Sequence, residues 1–348
     1  MADNIFHRAG VFDYPEEPTR AEVAAAFRAF LAHACPAGIV RRAEDTHGVD
    51  AALWAAFTDL GGVGASLPES AGGGGGSLHD ARVIGAECGR RIAPIPYVEA
   101  VAAARLLCRL GQDAAAVGEL PWLVVQADDR SDPVLTGTGA CTRRALILEA
   151  QAAIGAELPP RSVVPVANLG ALPMAYLRLD DAVELFRVPL THAAREAWVC
   201  ERRVLAASAL VGAGTEALAM AVEHIGMRHQ FGRSLGSFQV LQHRLADRAT
   251  QLNAAHLLTV SACDALAENG HGGRYRSAVA LMSAVQAGEL AAKEAMQMFG
   301  GYGYTLEYDV HLYLRYVKAT AVLAKDPEVI SDSFAPRLRA PAEKGGES

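Results

Sequence analysis

The sequence predicts a mostly α-helical protein with a small β domain between two helical regions, and three observations predict it. Alanine-rich stretches with apolar residues at helical spacing fill the first and last thirds. From Pro121 to about Thr191 the texture changes to short β-branched and apolar runs separated by Asp, Gly and Pro. Glycine-rich breaks, rather than long linkers, divide the helical stretches.

In chain order, residues 18 to about 115 are expected to be helical. Thr19 followed by Glu22 resembles a capping box, and AEVAAAFRAFLAHA then repeats apolar residues at helical intervals. Five consecutive glycines, Gly72 to Gly76, cannot hold a helix and must form a loop, after which a second helix pair runs through Ile84 to Leu110. The runs WLVVQA, RALILEA, SVVPVAN, AYLRL and VELFRV then allow about six to eight short strands. Four helical stretches follow at 202–229, 238–268, 274–299 and 308–324, which suggests a four-helix bundle. Their limits are FGRSLGS, ENGHGG and GGYGYT, each too glycine-rich for uninterrupted helix. The expected division is 1–120 helical, 121–195 β, 196–330 bundle and 331–348 a flexible tail of low apolar content.

Composition narrows the function. A chain of 348 residues that is 51% hydrophobic can bury an ordinary core. A net charge of −7 gives no reason to expect nucleic acid, which requires clustered cations. The six cysteines are scattered without metal-ligand spacing, so reduced thiols in the cytoplasm are expected and a metal is not. No uninterrupted apolar run of about eighteen residues occurs, so no membrane span is expected. LVGAGTEALA looks like a dinucleotide-binding turn, but no strand precedes it, and Gly212 and Gly214 are taken as close-packing positions. The five-glycine run lacks a following Lys-Ser or Lys-Thr, which argues against a phosphate loop. His224 and His229 are spaced i, i+5 and do not share a helix face.

Two segments are far more specific than the element order: RHQFGRSLGSFQVLQHRLAD and AMQMFGGYGYTLEYDVHLYLRYVKA. Together they resemble the signatures of the acyl-CoA dehydrogenase family, with an Arg three residues before Phe-Gly, then Phe-Gln, Leu-Ala-Asp, and a Gln before Gly-Gly-x-Gly. PESAGGGGG and ARVIGAECGRRIAPIPY resemble the family's PExxGGxG loop and the helix after it. The likeness covers roughly residues 20 to 120 and 195 to 325. It implies a helical, β, helical fold, FAD as cofactor, an acyl-CoA substrate desaturated between its α and β carbons, and an electron-transferring flavoprotein as acceptor. By motif position it implies that Arg228, Phe231, Gln239, Gln297, Gly300 and Gly301 contact an FAD held by a neighbouring subunit. The chemistry suits this, because a dianionic diphosphate needs a cationic fork and backbone able to approach closely.

What the family requires and the sequence lacks is equally specific. Dehydrogenation needs a base for the α-proton while hydride passes to the flavin, and the family uses a glutamate. One family position for it is Ala324 here, and the other is Arg202. Glu201 is adjacent to Arg202 but about 100° away around a helix, and Asp326 lies two residues beyond Ala324. The flavin- and CoA-binding stretches of the middle domain are also missing: the only tryptophans are Trp54, Trp122 and Trp198, and LTGTGACTRR bears a faint likeness at most, so the β domain is a reduced one. The resemblance therefore implies the degenerate, non-catalytic subunit of a bacterial heterotetramer, α2β2 with a homologous catalytic subunit, with steroid side-chain thioesters as the suggested substrates. Two alternatives stay open: a self-sufficient enzyme with Glu201 or Asp326 as displaced base, and a non-enzymatic interaction subunit.

Overall fold

The computed structural model describes residues 16–46, 48–112, 121–127, 129–268, 272–324, 329 and 331–332. The first helical region contains α1 (Pro18–Ala34), α2 (Ala37–Arg42), α3 (Ala51–Asp59), α4 (Leu78–Arg90) and α5 (Tyr97–Arg109). Thr19 does not cap α1. Pro18 occupies the first turn, where its fixed φ suits helix entry, so Thr19 is already inside the helix, and no side chain caps that end. The capping box is instead at α4, where the Ser77 hydroxyl accepts from the His79 amide at 3.2 Å and the Asp80 carboxylate accepts from the Ser77 amide at 2.7 Å. The five glycines form a turn between α3 and α4.

Among the described residues seven strands follow: β1 (Trp122–Gln126), β2 (Val134–Thr136), β3 (Arg144–Leu148), β4 (Ala152–Glu157), β5 (Val163–Pro165), β6 (Ala175–Leu177) and β7 (Val183–Pro189). They make a four-stranded sheet in the order β1-β3-β4-β7, with β1 parallel to β3 and the rest antiparallel, and an antiparallel three-stranded sheet in the order β2-β6-β5. Alternation explains the layering. Leu123 and Val125 of β1 face a core shared with Ile147, Ile154 and Leu177, whereas Trp122 and Val124 join the core of the N-terminal helices with Leu106 and Trp198. The small domain is thus fastened to the helices by one face of its larger sheet.

The C-terminal bundle is α6 (His192–Met227), α7 (Gln239–Ala267), α8 (Gly273–Phe299) and α9 (Val310–Ala324). A hairpin of β8 (His229–Gln230) and β9 (Arg233–Ser234) joins α6 to α7. The first bundle helix starts at His192, ten residues before the sequence pattern places it, because the Thr191 hydroxyl caps the Ala194 amide at 3.1 Å. Contrary to the sequence expectation, this 36-residue helix is long and apolar enough by composition to cross a membrane, but 78% of that apolar window is buried inside the protein. Small residues let it sit against α4. A Cβ on Gly212 would lie 2.0 Å from the Ala86 carbonyl oxygen, and one on Gly89 would lie 2.0 Å from that of Ala209. Gly214 is likewise a packing position, against Leu252 and Gly288.

Candidate functional site

Two regions of the fold gather the residues singled out from the sequence. The first is a cavity of about 140 Å³ enclosed by the α4–α5 loop (residues 92–96), β-domain loops around Gly137 and Gly170, α6 and α9. Its lining includes both Arg202 and Ala324, so the two positions at which the family places its base converge on one space. Neither can accept a proton there. Arg202 is bound to Glu99, Nη2 to Oε1 at 2.7 Å and Nε to Oε2 at 2.9 Å. Glu44, the other acid on the wall, pairs with Arg315 at 2.7 Å. The Tyr316 phenol is pushed up to about 12 by burial and stays protonated at neutral pH. Among the described residues, every carboxylate on the wall is therefore tied to a guanidinium.

The β domain presses on this cavity closely. A Cβ on Gly170 would lie 2.2 Å from that of Ala319, and one on Gly137 would lie 2.6 Å from the Leu323 methyl. The loops that would have to admit a substrate rest on α9 itself.

Glu201 is not part of the cavity. It is 3% exposed and faces α5, where Oε1 accepts from Arg105 at 2.9 Å and from Arg109, and Oε2 accepts from Arg109 at 2.7 Å. Burial raises its carboxyl, but the Arg109 and Arg105 contacts outweigh it and hold the group below the usual carboxylate range. One residue of helical rotation turns Arg202 into the cavity and Glu201 away from it into a two-arginine clamp, a placement that does not favour Glu201 as a displaced base. Asp326 lies outside the described residues.

The second region is the end of the bundle where the hairpin meets the turn after α8. Arg228 is the C-cap of α6, its guanidinium 5.2 Å from the centre of the Tyr302 ring. No carboxylate lies within ion-pair distance of it among the described residues. Phe231 is at the hairpin tip, 88% exposed, with φ +54°, a conformation that an L-residue adopts only under strain. Gly232 follows at φ +78°, giving the pair of positive values that a tight two-residue hairpin turn requires. Phe231 packs edge-on to Phe238, with centroids 6.2 Å apart, and Gln239, exposed, begins α7 immediately after. Gln297 is exposed in the last turn of α8, and Gly300 ends the helix at φ +61°. A Cβ on Gly300 or Gly301 would meet nothing, so this turn opens outward rather than being packed by its own chain.

A cationic fork, two side-chain amides and an open glycine turn are donors suited to a diphosphate. The residues of this end fit the diphosphate part of FAD. The sequence reading missed two features, the Glu99–Arg202 pair and the Tyr302 ring beneath Arg228. Neither has a local signal, since the first joins residues 103 apart.

The acyl-CoA dehydrogenase N-terminal domain model matches residues 17–124, and the C-terminal domain model matches residues 192–331. Acyl-CoA dehydrogenase IpdE2 of Mycobacterium tuberculosis is 30% identical over 311 residues, 86% of this chain and 90% of that protein. The chain belongs to the acyl-CoA dehydrogenase family. Members of this family generally depend on FAD. Bovine mitochondrial isobutyryl-CoA dehydrogenase is 33% identical over 128 residues, a match limited to 37% of this chain and 31% of that one. In fold, the chain resembles a protein of the ChsE4-ChsE5 complex from Mycobacterium tuberculosis, with a TM-score of 0.84 at 21% identity over 95% of this chain and all of that one. It also resembles a structure of the Tcur3481-Tcur3483 steroid ACAD, with a TM-score of 0.79 at 21% identity over 90% of this chain and 95% of that one. The helical, β, helical order is therefore the family fold. Within this family, a cavity carrying alanine and a paired arginine at the two base positions is a departure from the chemistry.

Proposed function

We propose that this chain is the non-catalytic subunit of a hetero-oligomeric acyl-CoA dehydrogenase, α2β2, and contributes FAD contacts to a homologous catalytic partner. The observation that carries this is the contrast between the two regions. Among the described residues, the cavity lacks a free carboxylate, while the bundle end keeps an arginine without an acidic partner beside an outward-opening glycine turn.

FAD, when bound, supplies the hydride acceptor for the α,β-desaturation. Arg228 neutralises diphosphate charge through its N–H edges, Gln239 and Gln297 offer amide hydrogen bonds, and Gly300 and Gly301 let backbone approach without a side chain between. Phe231, held out on a strained turn, covers apolar cofactor surface and excludes water. The partner's own residues take the α-proton. Two proteins similar in fold, one from a two-protein complex and one a steroid ACAD, support a hetero-oligomer acting on steroid-derived acyl-CoA. An electron-transferring flavoprotein is the acceptor that the family resemblance implies. The six free cysteines, all described, agree with a reducing compartment, and the cytoplasm is the expected location.

The test is flavin stoichiometry. The chain purified alone is expected to retain little FAD and to show no acyl-CoA oxidation, whereas co-expression with its homologous subunit yields a yellow, active complex. In that complex Arg228→Ala is expected to weaken FAD binding about 10- to 100-fold, the range of a charged hydrogen bond. Full FAD occupancy and activity in the isolated chain would sink the proposal.

A further inference from the structure

The bundle end contains a closed ring of contacts that no motif position accounts for. Starting on α6, His224 stacks on Phe299 at the end of α8, with centroids 4.1 Å apart and planes 17° from parallel. Tyr308 meets Phe299 edge-on at 5.3 Å and His224 edge-on at 6.0 Å. Tyr302 leans on Tyr308 at 5.7 Å, and Arg228 lies over Tyr302 at 5.2 Å. The ring closes through the backbone, because the Arg228 amide donates to the His224 carbonyl at 2.9 Å. The Arg228 carbonyl in turn accepts from the Leu235 amide at 2.8 Å, so the main chain is held from both sides. Its long side chain lies against the Tyr302 face.

How that side chain is held matters chemically. A carboxylate partner would occupy the N–H edges of the guanidinium, which are the groups that grip a phosphate. A ring face contacts the flat π surface instead, and leaves the edges for an in-plane anion. The Tyr302 backbone is itself tied down, its carbonyl accepting from the Thr305 amide at 3.0 Å and the Thr305 hydroxyl at 2.9 Å.

We infer that Tyr302 is a positioning residue, holding Arg228 by its flat face so that its N–H edges remain free for a diphosphate, with Tyr308, Phe299 and His224 as the fixed backing. This rests on the proposed FAD contact. A ring contact at a part-exposed site is worth about 0.5–1 kcal/mol, which corresponds to about a 2- to 5-fold change in affinity.

The experiment measures FAD affinity by reconstitution of the deflavinated, co-expressed complex. Tyr302→Phe keeps the ring and is expected to bind like wild type, and Tyr302→Leu to bind about 2- to 5-fold more weakly. In an Arg228→Ala background Tyr302→Leu is expected to add nothing, because its effect acts through that guanidinium. Melting curves of each variant check that folding is retained, and Tyr302→Phe against Tyr302→Leu keeps the comparison informative if both soften the turn. Loss of affinity that is the same with and without Arg228 would mean a merely structural ring and overturn the inference. So would wild-type affinity in Tyr302→Leu while Arg228→Ala weakens binding. Unchanged affinity in Arg228→Ala would instead refute the FAD contact itself.

Discussion

Replacing Glu201 with glutamine distinguishes a structural carboxylate from a catalytic one. The side chain is 3% exposed, and its two oxygens take hydrogen bonds from Arg105 and Arg109. Glutamine nearly preserves the shape but removes the charge, and turns an N–H2 group toward a guanidinium. Arg105 is 15% exposed and Arg109 32% exposed in their side chains, so one loses its counter-charge in the interior and the other nearer solvent. Breaking a buried pair from one side costs about 3–5 kcal/mol, and the half-open Arg109 argues for the lower end. At roughly 2 °C per kcal/mol for a chain of this size, the melting temperature is expected to fall by about 5–10 °C. Scanning calorimetry of the co-expressed complex, alongside turnover measured at a temperature where both forms are folded, reads both quantities. The expected result is a large drop in stability with turnover per folded complex retained. A variant with wild-type melting and no turnover would refute the clamp and restore Glu201 as a base.

Three further expectations follow from the geometry. Burial, then the guanidiniums of Arg82 and Arg90, lower the His256 pKa to about 3 from an ordinary 6.5, so the unfolded chain takes up a proton there that the folded one refuses. Its stabilising contribution is complete above pH 6.5 and is lost as pH falls toward 3, roughly 2 kcal/mol by pH 5, and denaturation curves of His256→Gln should show a shallower acid slope; an unchanged slope would count against this assignment. Gly212→Ala places a methyl 2.0 Å from the Ala86 carbonyl oxygen, so α4 and α6 must separate, and a loss of about 1–3 kcal/mol is expected in urea unfolding. Phe231→Gly relieves a residue at φ +54° that is 88% exposed, so thermal stability should hold or rise by up to about 1 kcal/mol while FAD retention in the complex falls; a marked loss of stability would show that the edge contact with Phe238 outweighs the backbone strain.

Much of the helical architecture was legible in periodicity and glycine breaks, because amphipathic helices and turn chemistry are local properties. The ends were less so. Thr19 and Glu22 have capping-box spacing, but Pro18 starts the helix first, and HAAREAWVC reads as helix only once Trp198 and Cys200 are seen buried. The divergence of Glu201 from Arg202 was foreseeable from 100° per residue, yet what each would meet was not. Glu99 and Arg109 lie about a hundred residues upstream, and only the folded chain brings α5 against α6. The motif residues at the bundle end were visible through family likeness alone. The strain at Phe231 and the ring under Arg228 have no local signature, since both depend on how α8 ends beside α6.

The length of α6 has a consequence for how such a subunit could arise. Arg202 lies ten residues into α6 and Arg228 caps its far end, and at 1.5 Å per residue the 26 residue steps between them span roughly 39 Å. That is several times the range over which exposed charges feel one another at cellular salt. A duplicated copy could therefore have the cavity side of the helix rewritten, acid by acid, without the Arg228 end, proposed above to grip a diphosphate, registering the change. A division of labour between two unequal chains, as proposed, would then follow easily from one rigid strut that carries the two regions far apart.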